Sequence, residues 1–336
     1  MTELPIVDIA PLFEGSTATR ADVDERIVHA VRQAGGFVVA NYPDADKVDA
    51  RARRMLSFFD LDDQIKRAVA NRVTNPENPN IYRGYQASLQ PGSWAHNEVF
   101  DIGPDEPVDG PPLAGMQILA ERNVWPEVEP VEGWRRTMRA YYDHMHAVAT
   151  AIMLSVGRGV GFEDDDILAR FQGGNSTLRL LNYPPPPKDN RVVDELPDVD
   201  SEERDGPPLA AGRHTDGSGV SLLWQQQPGL QAQAPDGTWR DVPLIDNCIS
   251  VHLGDVIEMM TDGRVPATPH RVIDHQAARQ SVGFFLEPSL SAELGSLDAD
   301  MSAARAEARW RGTYGWALLR RISGYGGFEE LVPRPD

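Results

Sequence analysis

The sequence lacks the features that mark three large classes of protein. It has a single cysteine, Cys248, in 336 residues, so no intrachain disulfide can form and an oxidising compartment is not indicated. No stretch reaches the roughly 18 uninterrupted apolar residues that a membrane helix needs. Basic residues are scarce, since 32 Lys and Arg stand against 51 Asp and Glu, a formal net charge of −19. That balance disfavours a nucleic-acid partner, whose binding depends on cationic contacts to phosphate.

The N-terminal segment also lacks the basic and apolar regions of a signal peptide, so the cytoplasm is the expected location. The hydrophobic fraction of 41% is sufficient to fill a substantial core. Apolar spacing predicts helices over residues 22–34, 46–59, 62–70 and 134–160, and β-type runs predict strands over 5–8 and 37–40. Residues 71–95 are rich in Asn, Pro and Gly and are predicted to form a loop.

The pattern changes after residue 175. Short β-type runs then alternate with turns at residues 177–183, 220–225, 230–234, 238–242, 249–253, 255–260, 270–274 and 281–286. Residues 184–212, with four consecutive prolines, are predicted to form a loop or lid, and residues 303–321 a helix. We therefore predict one structural unit of mixed α and β structure: a mainly helical N-terminal region (1–170), a β sandwich or barrel (171–290) and a C-terminal helical segment (291–336).

A candidate metal site begins at His214 and Asp216. On an extended chain, side chains at i and i+2 point to the same face. A His and a carboxylate on one face, joined by a second His, form the facial site that binds non-haem Fe(II) and leaves three coordination positions open. His270 opens a later β-type run, and the 53 residues between Asp216 and His270 supply about four strands, enough to return the chain to the first pair.

Arg279 and Ser281 form a second same-face pair. A guanidinium beside a hydroxyl is a good receptor for a carboxylate, because Arg offers a two-pronged donor. An iron site with open positions close to such a receptor points to a chelating 2-oxo acid, whose keto and carboxylate oxygens would bind the metal.

These residues lie in a series of motifs that resembles the isopenicillin N synthase-like family of Fe(II)- and 2-oxoglutarate-dependent dioxygenases. The matching segments are Leu4-Pro5-Ile6-Val7-Asp8, Gly84-Tyr85, Phe100-Asp101-Ile102-Gly103, Asn123-Val124-Trp125-Pro126, Asn182-Tyr183-Pro184-Pro185, His214-Thr215-Asp216-Gly217, Gly229-Leu230-Gln231, Gly254-Asp255, Thr268-Pro269-His270-Arg271-Val272 and Arg279-Gln280-Ser281. The resemblance runs from about residue 4 to residue 325. It implies a double-stranded β-helix (jelly roll, cupin-like) with flanking helices, notably at the N-terminus.

The resemblance also implies roles for individual residues. His214, Asp216 and His270 would bind iron, Arg279 and Ser281 would hold the C5 carboxylate of 2-oxoglutarate, and Tyr183 would hydrogen-bond this co-substrate. One departure is Asn182, where the family often has a tyrosine before Tyr183. The retained Asp216 argues against halogenation, for which related enzymes replace the carboxylate with a small residue.

Strand periodicity places Arg179 and Leu181 on the face of Tyr183. We predict that all three look into the barrel. Arg179 would contact an anionic group of the prime substrate or pair with an internal acid, and both interpretations stand at this point. Phe285 would line the substrate side of the metal or belong to the core.

The implied activity couples decarboxylation of 2-oxoglutarate to succinate with hydroxylation, desaturation or cyclisation of a small molecule, using Fe(II) and O2. Two alternatives within the family are an oxidase that uses no 2-oxoglutarate and an ethylene-forming enzyme, which the stretch from Thr261 to His270 resembles. A third alternative is a non-catalytic binding protein that has kept the metal. The prime substrate and the oligomeric state stay open.

Overall fold

Two largely antiparallel sheets form the centre of the molecule in a computed structural model, which describes residues 3–88, 95–106, 117–185, 206–295, 313–325 and 327–332. In these residues the strands are β1 (Ile6–Asp8), β2 (Gly36–Ala40), β3 (Gly84–Ser88), β4 (Asn97–Ile102), β5 (Thr177–Tyr183), β6 (Leu209–His214), β7 (Val220–Gln225), β8 (Leu230–Gln233), β9 (Trp239–Asp241), β10 (Ile249–Leu253), β11 (His270–Ile273) and β12 (Arg279–Leu286). The larger sheet has the order β1-β2-β10-β7-β12-β5-β4-β3, and the smaller has the order β6-β11-β8-β9.

Helices flank these sheets. In the same described residues they are α1 (Pro11–Glu14), α2 (Thr17–Ala34), α3 (Val48–Leu56), α4 (Asp63–Ala68), α5 (Trp134–Gly159), α6 (Asp164–Phe171), α7 (Asp255–Met260) and α8 (Tyr314–Ile322), with 3-10 turns at Ala45–Lys47, Ser57–Asp60 and Gln117–Ala120. The long helix α5 packs against α2, α3, β7 and β12. None of the helices described is both long enough and apolar enough to cross a membrane.

Local sequence explains the bounds of α2. The Ser16 side chain accepts a hydrogen bond from the Thr19 backbone N–H at 3.3 Å, which caps the first turn and lets the helix begin earlier than residue 22. The helix ends at Gly35, whose φ of 76° favours a residue without a Cβ. A Cβ at Gly35 would also lie 2.4 Å from the carbonyl oxygen of Gln233.

The hydrophobic core has two parts. The larger part joins the helices to the large sheet and contains an aromatic cluster of Phe58, Phe100 and Trp134. The smaller part includes Tyr183 from the large sheet and Val272 from the small sheet. The space between the sheets is therefore partly filled by side chains, and the remainder forms the cavity described below.

The jelly-roll prediction is confirmed, and the strands predicted at 177–183, 220–225 and 249–253 have those bounds. The strand predicted at 255–260 is wrong, because this segment forms α7. Its apolar residues Val256, Ile257 and Met260 are fully buried and recur at helical spacing. The adjacent β-branched residues Val256 and Ile257 are typical of strands and concealed this spacing in the sequence.

Five of the described helices and strands were absent from the sequence prediction: α1, β3, β4, β6 and α6. Strands β3 and β4 extend the large sheet, so the sheet is not confined to residues 171–290 and draws four strands from the N-terminal region. Strand β6 occupies the end of the predicted 184–212 loop, of which residues 186–205 lie outside the described residues. The C-terminal helix is described only from Tyr314, so residues 303–312 of the predicted helix are also outside them.

Candidate metal and co-substrate site

The three predicted metal ligands meet on the small sheet. His214 ends β6 and His270 begins β11, and the two residues are direct partners across the strands. Asp216 follows β6 by two residues. One ligand atom from each residue lies within 4.8 Å of the others. The His214 Nε2 atom is 3.9 Å from Asp216 Oδ1, and the His270 Nε2 atom is 3.7 Å from Asp216 Oδ2.

The hydrogen bonds of the two histidines test whether they fit a metal. His214 Nδ1 is 2.8 Å from the carbonyl oxygen of Gly212, and His270 Nδ1 is 3.0 Å from that of Thr268. A carbonyl oxygen only accepts, so each Nδ1 carries the hydrogen and donates it. Each Nε2 is then left with a lone pair directed toward Asp216, as a metal ligand requires.

The electrostatics of the cluster agree with this fit. Burial lowers the pKa of His214, and the neighbouring His270 lowers it further, so the imidazole is neutral. Burial raises the pKa of Asp216, but His270, His214 and the Ser221 hydroxyl together outweigh it and lower the pKa. Ser221 Oγ donates to Asp216 Oδ2 at 2.5 Å. Two imidazoles and one carboxylate form a donor set that suits a divalent cation.

A buried cation lies on the opposite sheet. Arg279 and Ser281 are each 5% exposed, and Arg279 Nη1 donates to Ser281 Oγ at 3.1 Å. Arg279 Nη2 donates to Gln225 Oε1 at 3.1 Å, and the guanidinium lies 5.2 Å from the Tyr183 ring centroid. Among the residues that the structure describes, no carboxylate pairs with Arg279. Burial lowers its pKa, and a ligand carboxylate would supply the missing negative charge.

One cavity of about 500 Å³ connects the two sheets. All nine residues predicted for the site line it: His214, Asp216, His270, Arg279, Ser281, Tyr183, Arg179, Leu181 and Phe285. The candidate metal ligands therefore face the Arg279–Ser281 pair across a shared space. Residues Leu318 and Ile322 of α8 form part of the cavity wall.

Two sequence profiles match the chain. The profile of the 2OG-Fe(II) oxygenase superfamily matches residues 174–288, and that of the N-terminal region of non-haem dioxygenases in morphine synthesis matches residues 4–128. The chain is 32% identical over 291 residues to an isopenicillin N synthase of Streptomyces clavuligerus, with 84% of each chain covered.

The chain belongs to the isopenicillin N synthase-like family of the 2OG-Fe(II) oxygenase superfamily. It is also 28% identical over 305 residues to the 2-oxoglutarate-dependent dioxygenase citB of Monascus ruber, with 88% of each chain covered. The structure of a full-length Neurospora crassa protein in complex with alpha-KG (2-oxoglutarate) and 5-formyluracil superposes with a TM-score of 0.72 at 25% identity, covering 95% of each chain.

This oxygenase is thus an enzyme that uses Fe(II) and 2-oxoglutarate, as the motifs predicted. Of the two interpretations of Arg179, the structure shows a pair with an internal acid, Asp101. Phe285 lies on the cavity wall, whereas its neighbour Phe284 belongs to the core.

Sequence reasoning missed several residues of the site. Gln225 ends a correctly predicted strand, and its alternation with Leu223 could have placed it on the cavity face. Asp101 lies in a recognised motif to which no role was given. Ser221 lies five positions after its partner Asp216 and was given no role. Arg321 carries no local signal, because the fold brings its partner Thr215 to it from 106 positions away.

Proposed function

We propose that His214, Asp216 and His270 ligate Fe(II), that Arg279 and Ser281 bind the C5 carboxylate of 2-oxoglutarate, and that Tyr183 hydrogen-bonds this co-substrate. The enzyme then couples decarboxylation of 2-oxoglutarate to succinate and CO2 with hydroxylation, desaturation or cyclisation of a small molecule. The observation that carries the assignment is Arg279, a buried cation with no acid partner among the described residues, in the same cavity as the ligand triad.

The bound iron would supply the activation of O2, which protein side chains do not perform. The protein positions the reactants and limits water. The carbonyl oxygens of Gly212 and Thr268 fix the imidazoles, and Ser221 holds the Asp216 carboxylate. Arg279 and Ser281 fix the far end of the co-substrate, and Gln225 holds the guanidinium in place.

The prime substrate is expected to contact Arg179, Leu181 and Phe285. An anionic group was one expectation for the partner of Arg179. Asp101 already balances the charge of Arg179, which favours a neutral polar group over an anion. The similarity to the Neurospora crassa protein in complex with 5-formyluracil supports a small neutral substrate. The cytoplasmic location stays a prediction.

A spectroscopic titration tests the co-substrate assignment. Anaerobic addition of 2-oxoglutarate to the Fe(II)-loaded protein should produce a weak metal-to-ligand charge-transfer band in the visible region. Arg279→Ala should raise the 2-oxoglutarate concentration needed for half of this band at least about tenfold, because the lost contact is a charge-assisted hydrogen bond. The exposed Arg67→Ala is the matched control. Absence of the band in wild-type protein, or equal effects of the two variants, would refute the assignment.

The relatives named isopenicillin N synthase favour one second candidate, an oxidative cyclisation without 2-oxoglutarate. Product analysis separates the two candidates. One succinate per molecule of oxidised substrate indicates the proposed function, whereas oxidation without added 2-oxoglutarate indicates the second. Headspace ethylene from enzyme, Fe(II), 2-oxoglutarate and arginine tests the fragmenting alternative. A binding protein would release no succinate under any of these conditions.

A further inference from the structure

The part of the cavity around Arg179 and Phe285 carries polar side chains that the co-substrate site does not use. Strands β5 and β12 pair antiparallel, with Leu181 opposite Ser281 and Thr177 opposite Phe285. A strand advances about 3.4 Å per residue, so Phe285 lies about 14 Å along β12 from Ser281. Residues at this level can contact the prime substrate without competing for the C5 carboxylate of 2-oxoglutarate.

Arg179 presents a hydrogen-bond donor to this part of the cavity. Its Nε and Nη2 atoms donate to Asp101 Oδ1 and Oδ2 at 2.8 and 2.7 Å, a two-pronged pair on neighbouring strands. Its third nitrogen, Nη1, makes no hydrogen bond within the described part of the chain. The Arg179 side chain is 28% exposed and lines the cavity, whereas that of Asp101 is 5% exposed. Nη1 is therefore available to a substrate oxygen.

The pairing with Asp101 also sets the charge that a substrate meets. Burial alone would lower the pKa of Arg179, but Asp101 outweighs it and raises the pKa, so the guanidinium stays charged. The carboxylate cancels this charge locally. A substrate anion would lie next to the Asp101 carboxylate, while a neutral carbonyl oxygen would accept from Nη1 without that repulsion.

Glu287 forms the second polar wall. It is 7% exposed and lines the same cavity, and its Oε2 accepts from Thr177 Oγ1 at 3.0 Å. The fully buried Arg83 donates from Nη1 to Thr177 Oγ1 at 2.9 Å, so this hydroxyl must direct its own hydrogen toward Glu287. The chain Arg83–Thr177–Glu287 thereby fixes Oε2, and the Tyr314 hydroxyl also interacts with the Glu287 carboxyl group, which keeps further acceptor positions on the cavity wall. Burial raises the pKa of Glu287 and outweighs the opposing effects of Arg83 and Tyr314, which favours the uncharged form.

An apolar wall completes this part of the cavity. The Phe285 ring folds back over Gly283, where a Cβ would lie 3.0 Å from ring atoms of Phe285. The Arg179 guanidinium lies 5.8 Å from the centroid of this ring. Leu318, Ile322 and Phe328 line the cavity from the C-terminal segment. A flat ring therefore has an aromatic face to pack against.

We propose that Arg179 and Glu287 orient a small neutral substrate that carries a carboxamide or lactam on a flat ring. Arg179 Nη1 donates to the carbonyl oxygen, the Glu287 carboxyl group accepts from the adjacent N–H, and Phe285 packs against the ring. A substrate carboxylate would face the Asp101 carboxylate, and a substrate ammonium would face the Arg179 guanidinium. The tyrosines Tyr82 and Tyr325 also line this space and add no full charge. The inference rests on the proposed function, because it assigns the prime-substrate part of the same site.

Three probes that differ in one group test the charge preference. Nicotinamide, nicotinate and 3-picolylamine share a ring and carry a neutral, an anionic and a cationic group. Each is titrated anaerobically by calorimetry into protein loaded with Fe(II) and 2-oxoglutarate. Nicotinamide should bind at least about tenfold more tightly than either charged probe, since a hydrogen-bonding site rejects groups that leave its polar atoms unpaired. A preference for a charged probe, or no binding of nicotinamide, would overturn the proposal.

Variants of Arg179 and Glu287 test which side chains cause the preference for nicotinamide. Glu287→Leu should weaken nicotinamide binding about tenfold, Glu287→Gln should retain it within about threefold, and the exposed Glu330→Leu serves as the control. The double variant Arg179→Gln with Asp101→Asn should also lose about tenfold without leaving a buried charge unpaired. Equal binding by Glu287→Leu and Glu330→Leu would refute the role of Glu287.

The charge-transfer band, recorded on the same samples, separates this inference from the function on which it rests. If the band forms but nicotinamide shows no preference, the substrate subsite is wrong and the co-substrate assignment stands. If nicotinamide is preferred but the band is absent, the co-substrate assignment is wrong and the polar subsite stands.

Discussion

Arg321 and Thr215 connect the C-terminal helix to the metal-binding loop. Arg321 Nη2 donates to the carbonyl oxygen of Thr215, the residue between two of the ligands. Its Nη1 contacts Asp255 Oδ2 at 3.3 Å, and the Asp255 backbone N–H donates to the Asp216 carbonyl oxygen at 2.8 Å. A Cβ at Gly217 would lie 2.6 Å from Arg321 Nη1, so this loop and α8 are in close contact. Helix α8 therefore contacts the loop that carries the proposed ligands His214 and Asp216.

Replacing Arg321 should weaken iron binding. Arg321→Met removes the donor that holds the Thr215 carbonyl, and outer contacts of this kind commonly change metal affinity about tenfold or more. The measurement is an anaerobic Fe(II) titration at saturating 2-oxoglutarate, in which the intensity of the charge-transfer band reports iron binding. Arg320→Met, the exposed neighbour on the same helix, is the control. If both variants bind iron alike, α8 does not support the metal site.

Replacing Gln225 should weaken 2-oxoglutarate binding while iron binding stays unchanged. Gln225 Oε1 accepts from Arg279 Nη2 at 3.1 Å and from the Leu230 backbone N–H at 3.3 Å. Gln225→Leu leaves the guanidinium free to turn, and the 2-oxoglutarate dissociation constant should rise about tenfold. The exposed Gln226→Leu should leave it unchanged. A parallel loss of iron affinity, measured without 2-oxoglutarate, would contradict a role confined to the co-substrate.

Removing a ring from the aromatic cluster should lower stability. Phe58 is fully buried, with ring centroids 4.3 Å from Phe100 and 5.8 Å from Trp134. Phe58→Ala should lower the free energy of unfolding by about 3–5 kcal/mol, because the deleted ring leaves a cavity. The half-buried neighbour Phe59 supplies the control, and Phe59→Ala should cost clearly less in the same urea titration. Equal losses of unfolding free energy in the two variants would contradict this prediction, because they would mean that the core closes around the missing Phe58 ring.

His146 should make the fold sensitive to mild acid. Its ring packs near Tyr142 and Phe284, and burial lowers its pKa, with Asp143 opposing weakly. The unfolded chain therefore binds a proton more readily, so stability falls as pH drops through the ordinary His range near 6.5. The melting temperature of His146→Leu should fall less between pH 7.5 and 5.5 than that of wild type. His29 is exposed, so the melting temperature of His29→Leu should fall as much as that of wild type. If the fall were reduced in His29→Leu as well, His146 would not be its cause.

The elements that the sequence predicted well are those with a strong local pattern. Strands β5, β7 and β10 alternate or run apolar between turn residues, and α5 carries an uninterrupted apolar stripe. Strands β3 and β4 were missed because Gln86, Asn97 and Asp101 face a polar cavity, so their pattern lacks the usual apolar face. Helix α7 was misassigned because its adjacent β-branched residues Val256 and Ile257 are typical of a strand.

The candidate iron ligands and the carboxylate receptor can be recognised in the sequence itself. A spacing of two residues on a strand forces Arg279 and Ser281 onto one face, and the order of motifs fixes the family. The tertiary structure alone decided which partners the other charged residues around the cavity contact. Arg179 finds Asp101, 78 positions away, and Arg321 reaches Thr215, 106 positions away. Such pairs depend on strand register and helix docking, which no local pattern encodes.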